Sequence, residues 1–248
     1  MNIAFDYTYG VAAVSGIGRY ANRLARTYPS VAAAEDRFSL FFIDFLRKFN
    51  PVESCPECMA DSRFSFAPAH LLPARVYERL WNVPILRKAC GIASRDADLV
   101  HITAHASVPV TRKQKMVCTI HDMASCRTNR IPNWARNRSS SVNAKAIVAN
   151  AQRADAILAD STFGAEEIAQ YLPDCMNKIS VVPLGIDHEM YTPASAESVA
   201  AMRKALRLDR PYLLTIGRVC YLKNQAFLAK VFDAMNTNDL AKQPDASR

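Results

Sequence analysis

Arg218 and Lys223 stand five positions apart in YLLTIGRVCYLKN, residues 212–224. Leu213, Leu214 and Ile216 read as a short strand and Gly217 as its turn, while Phe227, Leu228, Val231 and Phe232 mark one face of a following helix. Two cations at a strand–turn–helix junction make a site for a diphosphate; a solvent-exposed basic turn is the plainer alternative. In SGIGRY, residues 15–20, Gly16 and Gly18 precede a helical pattern. Their backbone N–H groups can approach an anion, or the glycines only start the helix. Gly16, Gly18 and Ala21 also satisfy G-x-G-x-x-A, but that dinucleotide pattern needs its glycines directly after the strand, and a long loop separates them from Phe5. His121 and Asp122 end a buried strand in TIHD, residues 119–122. Ligand-facing residues collect at such carboxyl ends. There a histidine can bind a hydroxyl group or move a proton, with Asp122 orienting its ring, or it can simply cap the strand.

Other pairs carry less. His101 and His105 straddle the end of a strand, so they lack the shared helix face that a metal pair needs, and a loop is expected. Cys55-Pro-Glu-Cys58 has the spacing of half a zinc site or of a redox pair. No second half and no βαβ context is visible around it, so it too reads as a loop. Glu189 and Glu197 show E-x₇-E spacing, but Pro193 breaks the segment between them.

The net charge of +8 favours anionic partners: nucleotides, phosphorylated lipids or an anionic membrane surface. The arginines are scattered and no nucleic-acid-binding motif is present, so nucleic acid is not expected. The longest apolar stretches are strand-sized and the N-terminus lacks a basic leader, which predicts neither a membrane span nor a signal peptide. Seven cysteines, an odd count, then read as reduced thiols in a cytoplasmic protein.

Apolar runs at 3–5, 38–45, 98–103, 116–120, 156–160 and 179–182 predict strands, with a further one at 63–67. Helical patterns at 20–28, 73–93 and 133–153 alternate with them, and Ser161 or Thr162 caps another helix with Glu166 and Glu167 in its first turn. Alternating βα units with near-continuous apolar strands predict an α/β fold: a doubly wound parallel sheet over residues 1–188. Residues 189–210 read as a linker with a helical pattern at 199–206, 211–235 as one βα unit of a second domain, and 236–248 as a disordered tail.

Four segments in order, GIGRY at 16–20, IHD at 120–122, ADSTFGAEEI at 159–168 with VVPLGID at 181–187, and LLTIGRVCYLKN at 213–224, resemble glycosyltransferase family 4. The IHD and GRxxxxKN patterns are most similar to its mannosyltransferase-type members, which build surface polysaccharides. The resemblance implies a GT-B fold: an acceptor-side domain, a donor domain and a cleft between them. It implies a retaining enzyme that moves a hexose from a nucleoside diphosphate sugar to a glycan or lipid-linked acceptor. Gly16 and Gly18 would approach the donor diphosphate, His121 would contact the donor sugar, and Arg218 and Lys223 would neutralise the departing diphosphate in place of a metal. No metal and no cofactor is expected.

The sequence also departs from the family. Leu222 stands where many relatives carry an arginine before the lysine. Only 25 residues follow Lys223, where a complete doubly wound domain needs roughly 100. An incomplete donor domain is therefore expected, with poor turnover by this chain. Its apolar residues would dock onto the first domain, self-associate or aggregate. A non-catalytic accessory protein, or half of a split transferase, is the rival expectation. A nicotinamide-dependent oxidoreductase is disfavoured by the long first loop.

Overall fold

The computed structural model describes residues 1–13, 15–44, 50–69, 76, 96–104, 110–111, 113–127, 140–188 and 190–237. All of the predicted helix at 73–93 except Val76, together with His105, Glu189 and nearly all of the tail, lies outside them. The chain divides into two compact units, Met1–Gly185 and Ile186–Arg248.

In the first unit the strands are β1 (Asn2–Asp6), β2 (Arg37–Ile43), β3 (Phe64–Ala69), β4 (Leu99–Ile102), β5 (Lys115–Ile120), β6 (Ala156–Ala159) and β7 (Ile179–Val181). They form one sheet in the order β3-β2-β1-β4-β5-β6-β7, and every neighbouring pair is parallel. Helices α1 (Gly16–Val31), α2 (Pro51–Ser54), α3 (Pro56–Ala60), α4 (Ser140–Arg153) and α5 (Thr162–Tyr171) alternate with the strands. The predicted doubly wound sheet is thus present.

Its strands are apolar on both sides because both faces are covered. Phe5, Tyr7, Leu40 and Phe42 pack with Ala25 of α1. On the opposite face Ala4, Val100, Ile102, Met116 and Ile157 pack with Ile147 of α4 and Ile168 of α5. Each large side chain fully buried in this way contributes about 1.5–3 kcal/mol. The strand order reverses between β1 and β4, so the carboxyl ends of those strands flank a crevice where α/β sheets hold their ligands.

Three local expectations are corrected. Helix α1 starts at Gly16 rather than at residue 20, because Ser15 is its N-cap and accepts the Gly18 N–H at 3.0 Å. Glu166 and Glu167 fall beyond the first turn of α5, whose cap is Ser161; Glu167 instead pairs with Arg127. The Cys55–Cys58 segment is not an isolated loop. It opens α3 inside the crossover that joins the parallel strands β2 and β3. With α2 and α3 only four and five residues long, no helical period was available to betray them.

The second unit holds α6 (Ala196–Ala205), capped by Ser195, and α7 (Gln225–Thr237). The strand predicted at Leu213–Leu214–Ile216 is absent. Residues 211–216 carry no regular structure, and Leu213, Leu214 and Ile216 are exposed. A strand is stable only when its backbone groups pair with a neighbour, and no strand among the described residues of this unit offers one.

Candidate functional site

The sheet register decides which polar residues meet. Ile120 of β5 lies opposite Ala159 of β6, so the next residues, His121 and Asp160, emerge side by side at the carboxyl edge. His121 Nδ1 lies 2.7 Å from Asp160 Oδ2, and its Nε2–H donates to the Thr103 carbonyl at 3.0 Å. Both side chains are mostly shielded from water. The ring is therefore fixed by three strands.

Asp122 does not orient that ring, contrary to expectation. Its Oδ1 accepts the Ala124 N–H at 2.8 Å and starts a short 3-10 turn, Ala124–Cys126. An Asp two residues ahead of a free backbone N–H closes such a turn more readily than it reaches back to its neighbour's ring.

Tyr20, the tyrosine of GIGRY, meets the His121 ring edge-on, with centroids 4.8 Å apart. Its hydroxyl is 3.1 Å from Thr119 Oγ1. That oxygen lies 3.0 Å from His101 Nε2, and His101 Nδ1 lies 3.1 Å from the Tyr28 hydroxyl. His101 is thus a buried residue of the strand that the run at 98–103 predicts. Burial, with His121 close by, lowers its pKa to about 4, which keeps it neutral. Tyr20 and Asp160 were not singled out as partners of His121; each lay within a quoted motif, GIGRY and ADSTFGAEEI, and that was its only signal.

Asp6 ends β1 beside this group. It is fully buried; Oδ1 accepts the Thr8 N–H at 3.0 Å, while Oδ2 has no hydrogen-bond partner. Its backbone carbonyl accepts the Thr103 hydroxyl at 2.8 Å. Burial pushes its carboxyl up to about 6.

The two glycines of the first motif play different parts. Gly18 is buried, and a Cβ there would lie 2.6 Å from the Tyr9 carbonyl oxygen and 3.2 Å from Ala13 Cα. Its side-chain hydrogen lets the first loop pack on the helix start. Gly16 has open space around it. Gly18→Ala should cost about 2 kcal/mol by overpacking against backbone, whereas Gly16→Ala should be neutral or stabilise slightly. Thermal denaturation of the two variants checks the contrast; equal effects would refute it.

Arg218 and Lys223 belong to the second unit. They bracket one tight loop. Gly217 adopts φ 141°, Asn224 closes the Tyr221–Lys223 turn in the left-handed region, and Gln225 ties the loop by donating to the Arg218 carbonyl at 3.1 Å. Both cations are exposed, and neither has an ion-pair partner among the described residues. No group of three or more metal-ligating side chains occurs among the described residues.

A parallel sheet of this order, with its polar residues gathered at the carboxyl ends of β1, β4, β5 and β6, defines a Rossmann-like domain. The profile of Glycosyltransferase Family 4 matches residues 14–190. The chain belongs to that family and is by family a transferase. HepE of Anabaena, solved in complex with UDP and glucose, superposes with a TM-score of 0.62 at 16% identity, over 94% of this chain and 58% of that one. HepE in complex with UDP-glucose gives the same TM-score and identity, with 57% of that chain covered. The likeness shows the GT-B type of fold. The chain thus spans somewhat over half the length of the HepE structures it matches. No curated protein matches the sequence.

Proposed function

We propose that this chain acts in the retaining transfer of a hexose from a nucleoside diphosphate sugar to a glycan or lipid-linked acceptor, as in surface polysaccharide synthesis. The family match over residues 14–190 carries this proposal. The complexes of HepE with UDP and with UDP-glucose make UDP-glucose the first donor to test. In this reading the first unit serves the acceptor. His121 faces the donor sugar, held by Asp160, and the glycine loop at Gly16 and Gly18 borders the diphosphate. Arg218 and Lys223 stabilise the charge that develops on the leaving diphosphate, so that the nucleotide sugar needs no resident metal or cofactor. An exposed pair of cations on one hydrogen-bonded loop supports this role.

The place of work is the cytoplasm, at the inner face of an anionic membrane, where a basic protein meets lipid-linked acceptors. No helix among the described residues is long and apolar enough to cross a membrane. The exposed apolar side chains from Leu213 to Phe232 support self-association, or association with a complementary chain.

Calorimetric titration with UDP-glucose tests the donor site. Saturable binding is expected, weakened about tenfold or more when Arg218→Ala and Lys223→Ala are combined. Equal affinity of wild type and double variant overturns the role given to these cations. Radiolabel transfer in the same samples separates the two functional readings. Labelled acceptor identifies a working transferase, and donor binding without transfer identifies an accessory partner.

A further inference from the structure

Tyr20 shares the carboxyl edge of the sheet with His121, yet its hydroxyl turns inward, 3.1 Å from Thr119 Oγ1. From there a run of hydrogen-bonding groups continues through His101 to the Tyr28 hydroxyl, in steps of 3.0 and 3.1 Å. A neutral imidazole offers one donor and one acceptor nitrogen, and a hydroxyl both donates and accepts, so every step of the run can be made at once. The run leaves helix α1 at Tyr20, crosses β5 and β4, and returns to α1 at Tyr28. Between the two tyrosines Ala21 and Ala25 are fully buried, and their small side chains let the helix lie close to the sheet.

The far end of the run is anchored in the core. Phe5 meets the Tyr28 and His101 rings edge-on, with centroids 5.4 Å apart in each pair, and Tyr28 stacks on Phe38 at 4.9 Å. The near end touches His121. The Tyr20 and His121 rings cross at 81° with centroids 4.8 Å apart, an arrangement that aromatic rings favour. Asp160 and the Thr103 carbonyl engage the two ring nitrogens. Those bonds act along the plane of the imidazole; a second ring packed across it at nearly a right angle resists rotation out of that plane.

We propose that Tyr20 is the positioning residue for His121: its ring sets the plane of the imidazole, and its hydroxyl, through Thr119 and His101, ties that plane to helix α1. The consequence for ligands rests on the reading in which His121 faces the donor sugar. The glycine turn at Gly16 and Gly18 opens the same helix, so the sugar end and the diphosphate end of a nucleotide sugar are registered on one element. The glycine turn itself is held without Tyr20, by the Ser15 cap and by the close packing of Gly18 on the Tyr9 carbonyl. Loss of Tyr20 therefore falls on the sugar end and spares the diphosphate end.

The test uses the intact chain with isotope-labelled histidine. The His121 ring N–H that donates to the Thr103 carbonyl is assigned by its loss in His121→Asn, and its exchange with water is followed by NMR in the folded protein. Tyr20→Leu should speed that exchange about tenfold or more. Tyr20→Phe keeps the ring, and Thr119→Val keeps the branched side chain. Each cuts the same link between α1 and β5, so each should speed exchange by a similar, smaller factor, and the double variant by no more than either. Unchanged exchange in Tyr20→Leu overturns the proposal, and so do additive effects of Tyr20→Phe and Thr119→Val. If Tyr20→Leu fails to fold by circular dichroism, those two variants and their double decide the matter.

Calorimetric titration with UDP and with UDP-glucose reads the consequence for ligands. Tyr20→Leu should weaken UDP-glucose about tenfold and leave UDP within about twofold, with Tyr20→Phe intermediate. A merely loosened fold weakens both ligands alike, and that result overturns the sugar-end role. If wild-type protein binds neither ligand, the donor reading falls, and the exchange measurement still decides whether Tyr20 holds the ring.

Discussion

Asp6→Asn is expected to lift a charge-burial penalty of about 3 kcal/mol at neutral pH, offset by about 1–3 kcal/mol for an amide N–H₂ left without a partner, and so to change the pH dependence of stability more than its value at pH 7. The Asp6 carboxyl is fully buried and pushed up to about 6 from its ordinary 3.8. A shift of about two units corresponds to roughly 3 kcal/mol. The folded state prefers the protonated acid. Its contribution is therefore fully present below about pH 4 and is lost as pH rises through about 6. Asparagine keeps an oxygen that can accept the Thr8 N–H and carries no charge to desolvate, while its amide N–H₂ takes the place of the unpartnered Oδ2 and leaves buried donors unsatisfied.

His101 slopes the other way. Its pKa falls from 6.5 to about 4, so its contribution is present above about pH 6.5 and is lost on acidification toward 4. In the wild type the two slopes nearly cancel between about pH 4 and 6. In the variant only the His101 slope remains, and stability should fall by about 2 kcal/mol across that interval. Urea denaturation at a series of pH values measures both effects. A variant less stable than wild type at neutral pH would show that the ionised carboxylate has a favourable role in the fold.

Asp160→Ala is the second large effect. It leaves His121 Nδ1 without its hydrogen-bond partner in a shielded position, at a cost of about 2 kcal/mol. Asp160→Asn keeps an acceptor and should recover a large part of that loss. Asp122→Ala removes only the bond that caps a three-residue turn and should cost about 1 kcal/mol or less. Denaturation midpoints of the three variants decide which carboxylate holds the ring. If Asp122→Ala proves the more damaging, the dyad assigned to His121 and Asp160 fails.

The strands were legible because a sheet covered on both faces demands apolar runs, and 116–120 and 156–160 show them plainly. Ser161 was legible as a helix cap because capping is a contact within three residues. The α2–α3 crossover was not, since four- and five-residue helices carry no period. The strand read into 213–216 failed for a related reason. Its apolar pattern is genuine, but a strand also needs a partner, and the pattern says nothing of partners.

The sequence by itself determined the alternation of elements, the parallel sheet and the family, because these rest on short-range patterns of burial, turn chemistry and ordered motifs. It also named His121, because a strand's carboxyl end can be read from the run before it. Only the tertiary structure decided that Asp160, 39 residues away, rather than the adjacent Asp122, holds that ring. Only it brought Tyr20 onto the ring's edge. The physical reason is register. Which residues stand side by side across strands is fixed by the packing of the whole sheet, and no local segment carries that information.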